Sequence, residues 1–182
     1  MKESELYKII AAVIRNEWGR DLTYRSSGPD FVFEGKAIEV KDSNFRFRKN
    51  VSQFTRYMLD YNDFSIAFPA NAMNATNLIA ITIFELMVSE AFSRSPKYYI
   101  VATSAGLYHV RVFDTFLGLW GELVNFIPKD RQLKGADVKV VGSEITHIIQ
   151  DIDNVLARAA QDCVREKPNY TFTQDILLDS KV

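Results

Sequence analysis

The chain holds a single cysteine, Cys163, which excludes a disulfide framework, a cysteine-based zinc site and a four-cysteine iron–sulfur cluster. Histidine is nearly as scarce, and His109 and His147 both lie far downstream of the acidic segment described below. A lone strand histidine such as His109 is more often a packing or surface residue than a ligand. There is no basic excess: 22 Lys and Arg against 23 Asp and Glu leave a formal net charge of −1. That balance argues against a general nucleic-acid coating protein, though not against a local basic surface. No Gly-rich phosphate loop, internal repeat or low-complexity block is present. The most apolar stretch, 76–93, is interrupted by Asn77, Glu85 and Glu90, and a membrane span needs around 20 apolar residues. Met1-Lys2-Glu3-Ser4-Glu5 leads into an amphipathic helix and not into the apolar run of a signal peptide. A cytoplasmic protein without membrane attachment is therefore expected.

What is present is an ordinary globular composition, 47% hydrophobic and 25% charged, in 182 residues, enough for one domain with a substantial core. The expected organisation is a single domain over 1–182. Its core spans about 1–113, a C-terminal helical extension about 114–166, and an extended tail 167–182.

The chemistry concentrates in Gly28-Pro29-Asp30 and the strands that follow. Phe31-Val32-Phe33 and Ala37-Ile38-Glu39-Val40 flank Glu34-Gly35, a two-residue turn in which Gly supplies the positive φ that tight hairpins require. Counting from that turn pairs Phe33 with Lys36, Val32 with Ala37, Phe31 with Ile38 and Asp30 with Glu39. Opposed residues on one face have Cβ atoms about 4.5–5.5 Å apart, and two carboxylates so close repel unless a cation sits between them. Hard oxygen ligands with open water positions suit Mg²⁺. Lys41, two residues beyond Glu39, falls on the same face, and Phe31, Phe33, Ile38 and Val40 form an apolar stripe on the other. The plain alternative is a half-buried strand with ordinary alternation after an ordinary Gly-Pro-Asp turn. A three-residue turn would break the pairing.

Pro29-Asp30 followed by Glu39-Val40-Lys41 resembles the PD-(D/E)XK nuclease superfamily, in its Glu variant, over about residues 1–70. The resemblance implies a restriction-endonuclease-like α/β fold, a central mixed sheet flanked by helices in the order αβββαβ, with further C-terminal strands and helices. It also implies DNA as substrate and Mg²⁺ as cofactor, with Mn²⁺ as a substitute and no organic cofactor. Asp30, Glu39 and the Val40 carbonyl would hold the ion, and Lys41 would orient or deprotonate water or stabilise the phosphate. In such nucleases the preceding helix often carries another acid. Glu5, at the edge of the buried face of a helix over 4–18, is the expected contributor, ahead of Glu3 and Glu17. Its alternative role is a first-turn carboxylate after Ser4 as N-cap. Gln53 and Tyr57, one turn apart on a second helix, resemble the Gln-x-x-x-Tyr motif of the RecB-like branch, although that branch's upstream histidine is missing. Asn50 with Gln53 also reads as a capping box. Arg46, Arg48 and Lys49, interleaved with Phe45 and Phe47, are expected to meet DNA phosphates.

Elsewhere, 22–25 reads as a first strand, 64–68 as a buried strand, and 98–102 with 107–113 as a second hairpin. Val138 to Val141 reads as a short strand, and Ser143 as the cap of a helix bearing Ile145, Ile148, Ile149, Ile152 and Val155. The helix over 76–93 is apolar on nearly every side, so it is expected to be covered twice, once by a second protomer in a homodimer. The function that follows is a metal-dependent DNA endonuclease or junction-resolving nuclease. The alternatives are a non-catalytic DNA-binding or assembly module of the same fold, a different metal-dependent enzyme, or a structural dimer.

Overall fold

A computed structural model describes residues 1–114 and 138–166. The order of elements is α1 (Glu3–Trp18), β1 (Phe31–Phe33), β2 (Lys36–Val40), α2 (Val51–Asp60), β3 (Asp63–Pro69), α3 (Ala75–Phe92), β4 (Lys97–Ser104), β5 (Leu107–Phe113) and α4 (Val138–Glu166). The strands form one five-stranded mixed sheet in the order β1-β2-β3-β4-β5. The two outer pairs are antiparallel hairpins, and the β2–β3 and β3–β4 pairs are parallel. The architecture is therefore α/β, with helices on both faces.

The central strand explains the layering. Phe64 to Phe68 is buried at every position, the unbroken apolar run of a parallel strand covered on both faces. One face packs on α1: Leu6, Ile10 and Ile14 meet Phe31, Ile38, Val40, Ala67, Tyr99 and Val101. The other holds the larger core, with Phe47, Phe54, Phe64, Phe68, Phe84, Ile148 and Ile152 drawn from the sheet, α2, α3 and α4. The hairpin has the register counted from the sequence, Phe31 with Ile38, Val32 with Ala37 and Phe33 with Lys36. Glu34 and Gly35 both take positive φ, +48° and +79°, as a type I′ turn requires.

Three local expectations are corrected. Residues 22–25 form no strand, so the αβββαβ order lacks its first strand. The segment is bound to the hairpin through the Arg25 amide, which donates to the Asp30 carbonyl at 2.7 Å. Its Tyr24 ring lies on Tyr7 of α1, and such a packed loop replaces the ladder that its β-branched and aromatic composition favours. Val138 to Val141 opens α4 and is not a strand, and Ser143 lies inside that helix and does not cap it. Packing of Ile148 and Ile152 into the core overrides the strand preference of a short β-branched run. Finally, packing is not confined to the apolar stripe, because Val32 and Ala37 on the face that carries Glu39 join the larger core. The beginning of the expected C-terminal extension, 115–137, and the tail, 167–182, lie outside the described residues.

By length and composition α3 is apolar enough to cross a bilayer, and it lies against the sheet with Leu78, Ala80, Ile81, Phe84 and Val88 buried. Its second contact is α4 of the same chain, so that cover needs no second protomer, and Leu86 remains 63% exposed. Asn77, the polar interruption in this helix, is 2% exposed and fully engaged. Its Oδ1 accepts from the Phe47 amide at 2.9 Å, and its Nδ2 donates to the carbonyls of Phe45 at 3.1 Å and Ala72 at 2.9 Å. Asn77 thus fixes the segment that leads from β2 into α2. Asn77→Leu would leave three backbone groups without partners, and the two that are buried cost about 1–3 kcal/mol each. We expect a loss of about 3 kcal/mol or more, read as a lower midpoint in urea unfolding; an unchanged midpoint would show that the segment is held otherwise.

Candidate functional site

The site begins where the β1–β2 ladder stops. Asp30 precedes β1, and its Oδ2 accepts the Val40 amide of β2 at 2.7 Å, so a side chain satisfies the donor beyond the last paired residues. In an antiparallel pair the N–H and C=O of one residue leave on the same side of the strand. The Val40 carbonyl therefore heads toward the Asp30 side as well. The other Asp30 oxygen, Oδ1, accepts the Tyr7 hydroxyl of α1 at 3.0 Å. Asp30 is 9% exposed and Glu39, one residue before Val40 on β2, is 4% exposed.

Glu39 divides its carboxylate. Oε1 accepts from Lys41 Nζ at 2.6 Å and from Gln53 Nε2 at 3.0 Å. Oε2 is buried and closes no full hydrogen bond among the described residues. Gln53 also donates to the Tyr57 hydroxyl at 3.0 Å, while its Oε1 faces Lys41 Nζ at 3.4 Å. The Lys41 ammonium lies 5.9 Å from the centre of the Phe54 ring, so α2 supplies both a polar and an aromatic contact to it. The capping-box alternative is not formed: Asn50 turns its amide back to the Arg46 carbonyl, which leaves Gln53 to the carboxylate.

Burial dominates the electrostatics. It raises the Asp30 pKa, opposed by the Val40 amide, the Tyr7 hydroxyl and Lys41. It raises that of Glu39 too, opposed by the hydrogen bond and charge of Lys41 and, more weakly, by the Asp30 backbone amide, with the Asp30 charge adding to the rise. Tyr7 is held in its neutral, donating form by burial and by the Asp30 charge.

The remaining expected residues separate into two groups. Asp30, Glu39, Lys41, Gln53 and Tyr57 converge, and the Val40 backbone joins them. Glu5 does not: it is exposed, and its Oε2 accepts the Lys2 amide at 3.0 Å, a helix-start role in which Lys2, and not the expected Ser4, is the N-cap, because α1 begins at Glu3. Glu3 is the α1 acid that responds to the site, its pKa raised by burial, then by Asp30, with Lys41 opposing. Glu17 accepts the Tyr99 hydroxyl at 2.9 Å. Phe47 is fully buried and Phe45 packs on Phe68, so the aromatics beside the basic segment serve the core and not its surface. Arg46 and Lys49 are exposed and Arg48 half-buried around the short turn that enters α2. Sequence reasoning missed Tyr7. Its signal is the spacing of four from Glu3, which marks the side of α1 that meets Asp30, opposite in choice to the Glu5–Ile9 edge.

Two buried carboxylates, one with an idle oxygen, fit a hard divalent cation better than they fit each other. Among the described residues no group of three or more His, Cys, Asp or Glu side chains converges, so the rest of such a shell would come from backbone carbonyl and water. No protein-family model, curated protein or solved structure matches this chain.

A raised carboxylate pKa means that the metal-free folded chain binds more protons than the unfolded chain, so stability falls as pH rises above the ordinary carboxylate range. Glu39→Gln removes that contribution. In chelator, we expect its stability relative to the unsubstituted protein to grow as pH is raised from 4.5 toward neutrality. A gain of about 1 kcal/mol, the scale of one unsatisfied buried polar atom, would shift the thermal midpoint by about 2–4 °C. A difference that is flat with pH would contradict the raised pKa.

Proposed function

We propose that the protein is a metal-dependent DNA phosphodiesterase of the PD-(D/E)XK type, built on a restriction-endonuclease-like core, and that it cuts internally or at branched structures. The observation that carries this reading is Glu39 Oε2, buried without a partner beside Asp30 and Lys41. A buried carboxylate oxygen without a full hydrogen bond calls for a water or an ion, and the second carboxylate beside it favours a cation.

Asp30 and Glu39 would hold Mg²⁺, with the Val40 carbonyl as a third protein oxygen. When bound there, Mg²⁺ supplies polarisation of the scissile phosphate and a lowered pKa for the attacking water. Lys41 places an ammonium next to Glu39, where negative charge develops on the phosphate in the transition state. Gln53 holds Glu39 and Lys41 in one arrangement before substrate arrives, which limits reorganisation during the reaction. Tyr7 fixes the rotamer of Asp30 from the opposite face of the sheet. Arg46 and Lys49, exposed at the entry to α2, are available to DNA phosphates. A second reading rests on the same network. The Glu39–Lys41–Gln53–Tyr57 chain closes without an ion, as a non-catalytic DNA-binding module would need.

One assay separates the two. Linear, nicked, single-stranded and four-way-junction DNA are incubated with Mg²⁺ or with chelator. We expect cleavage only with Mg²⁺, and a loss of about 100-fold or more in Asp30→Ala and Lys41→Ala. Cleavage by Asp30→Ala at the unsubstituted rate would overturn the proposal, and chelator-insensitive binding without cleavage would select the second reading. Independently of activity, Mg²⁺ at 100 times its dissociation constant adds about 2.7 kcal/mol, a rise of about 5–10 °C in thermal midpoint. Glu39→Ala should abolish that rise.

A further inference from the structure

Tyr24 belongs to neither a helix nor a strand, yet its ring is held in place. It lies parallel to Tyr7, with ring centres 4.7 Å apart and planes 2° apart. Tyr7 is itself anchored twice, by its hydroxyl on Asp30 Oδ1 at 3.0 Å and by edge contact with Phe31 at 6.1 Å. One ring therefore touches the candidate metal ligand through its edge and supports Tyr24 through its face. The backbone adds a second tie, the hydrogen bond from the Arg25 amide to the Asp30 carbonyl at 2.7 Å. Tyr24 remains 58% exposed, although Tyr7 covers one of its faces. The result is a flat, open aromatic surface fixed beside Asp30, with exposed Arg25 next in the chain.

A surface of this kind suits one ligand class well. Unpaired nucleobases present a π-face and stack on aromatic side chains. Bases inside a continuous duplex already stack on their neighbours and offer no free face. The phosphate attached to a stacked base would also be delivered near Asp30.

We propose that Tyr24, supported by Tyr7, is a stacking site for an unpaired nucleobase next to the carboxylate pair. The substrate would then be single-stranded or locally unpaired nucleic acid and not uninterrupted duplex. This inference rests on the phosphodiesterase reading for its link to chemistry, but its test does not need cleavage.

Binding is measured by fluorescence anisotropy in chelator with three probes: a single-stranded oligonucleotide, the same strand with abasic sites in place of its bases, and a blunt duplex. Tyr24→Ala should weaken binding of the base-bearing strand by about 10-fold, within the range for one lost base stack. Its effect on the abasic strand and the duplex should be under about 2-fold, and Tyr24→Trp should restore base-bearing binding. A merely structural role for Tyr24 would weaken all three probes alike, and that result overturns the site. So does an unchanged affinity for the base-bearing strand, or an unsubstituted protein that does not distinguish base-bearing from abasic DNA. Mg²⁺-dependent cleavage that survives any of these results leaves the phosphodiesterase reading standing. Base-dependent binding without cleavage removes that reading and keeps the stacking site.

Discussion

Two carboxylates buried side by side constrain everything around them. Asp30 and Glu39 would each be better solvated in water, as their raised pKa values express, and the Asp30 charge adds to the cost at Glu39. The chain does not relieve this by turning one side chain outward. It surrounds three of the four oxygens with donors: the Val40 amide, the Tyr7 hydroxyl, and Lys41 together with Gln53. The fourth oxygen is left bare. An ion pair alone does not account for that arrangement, since a buried pair seldom adds net stability and its unpaired oxygen subtracts from it.

Holding such a cluster requires that three elements stay fixed relative to one another. The hairpin and the residue before it contribute the carboxylates, and the two-residue turn sets the register that brings Asp30 to the end of β2, where it takes the Val40 amide. α1 brings Tyr7 through a stripe of Leu6, Ile10 and Ile14 sealed against the sheet. α2 brings Gln53, and its position is tied at both ends. Asn77 holds the backbone before it, and the Arg94 guanidinium donates to the carbonyls of Met58 and Asn62 at its end. The apolar α3 is thus a foundation for α2, and its one buried asparagine is where that foundation connects to the site.

Much of this was legible in residue names because strand geometry is digital. A period of two and a turn of two residues decide which side chains oppose one another, so Asp30, Glu39 and Lys41 could be assembled by counting. Gln53 and Tyr57 followed from the helical spacing of four. The helix α1 resisted the same treatment because its buried stripe has two edges. Periodicity alone does not say whether Glu5 or Glu3 lies on the edge toward Asp30, and the choice depends on how α1 crosses the sheet. Tyr7 was invisible for the same reason. The segment 22–25 failed differently: its composition favours a strand, but a strand needs a paired neighbour, and Tyr24 gains more from lying on Tyr7. The opening of α4 is the mirror case, a β-branched run drawn into a helix by the core contacts of Ile148 and Ile152.

The distribution of apolar burial shows why a protein of this size tolerates an unfavourable centre. Ring contacts link six phenylalanines of the larger core, Phe45, Phe47, Phe54, Phe64, Phe68 and Phe84, and Phe54 among them lies under the Lys41 ammonium. Each fully buried phenylalanine contributes about 1.5–3 kcal/mol of transfer free energy, which offsets a carboxylate oxygen left without a partner at about 1–3 kcal/mol. The same aromatic floor also keeps Lys41 from retreating toward solvent, because its ammonium is held between a ring and a carboxylate. The unpartnered Glu39 oxygen therefore belongs to a cluster that rests on this aromatic floor. On the proposed reading, rigidity in that floor would keep the Glu39 oxygen aimed at an ion without rearrangement.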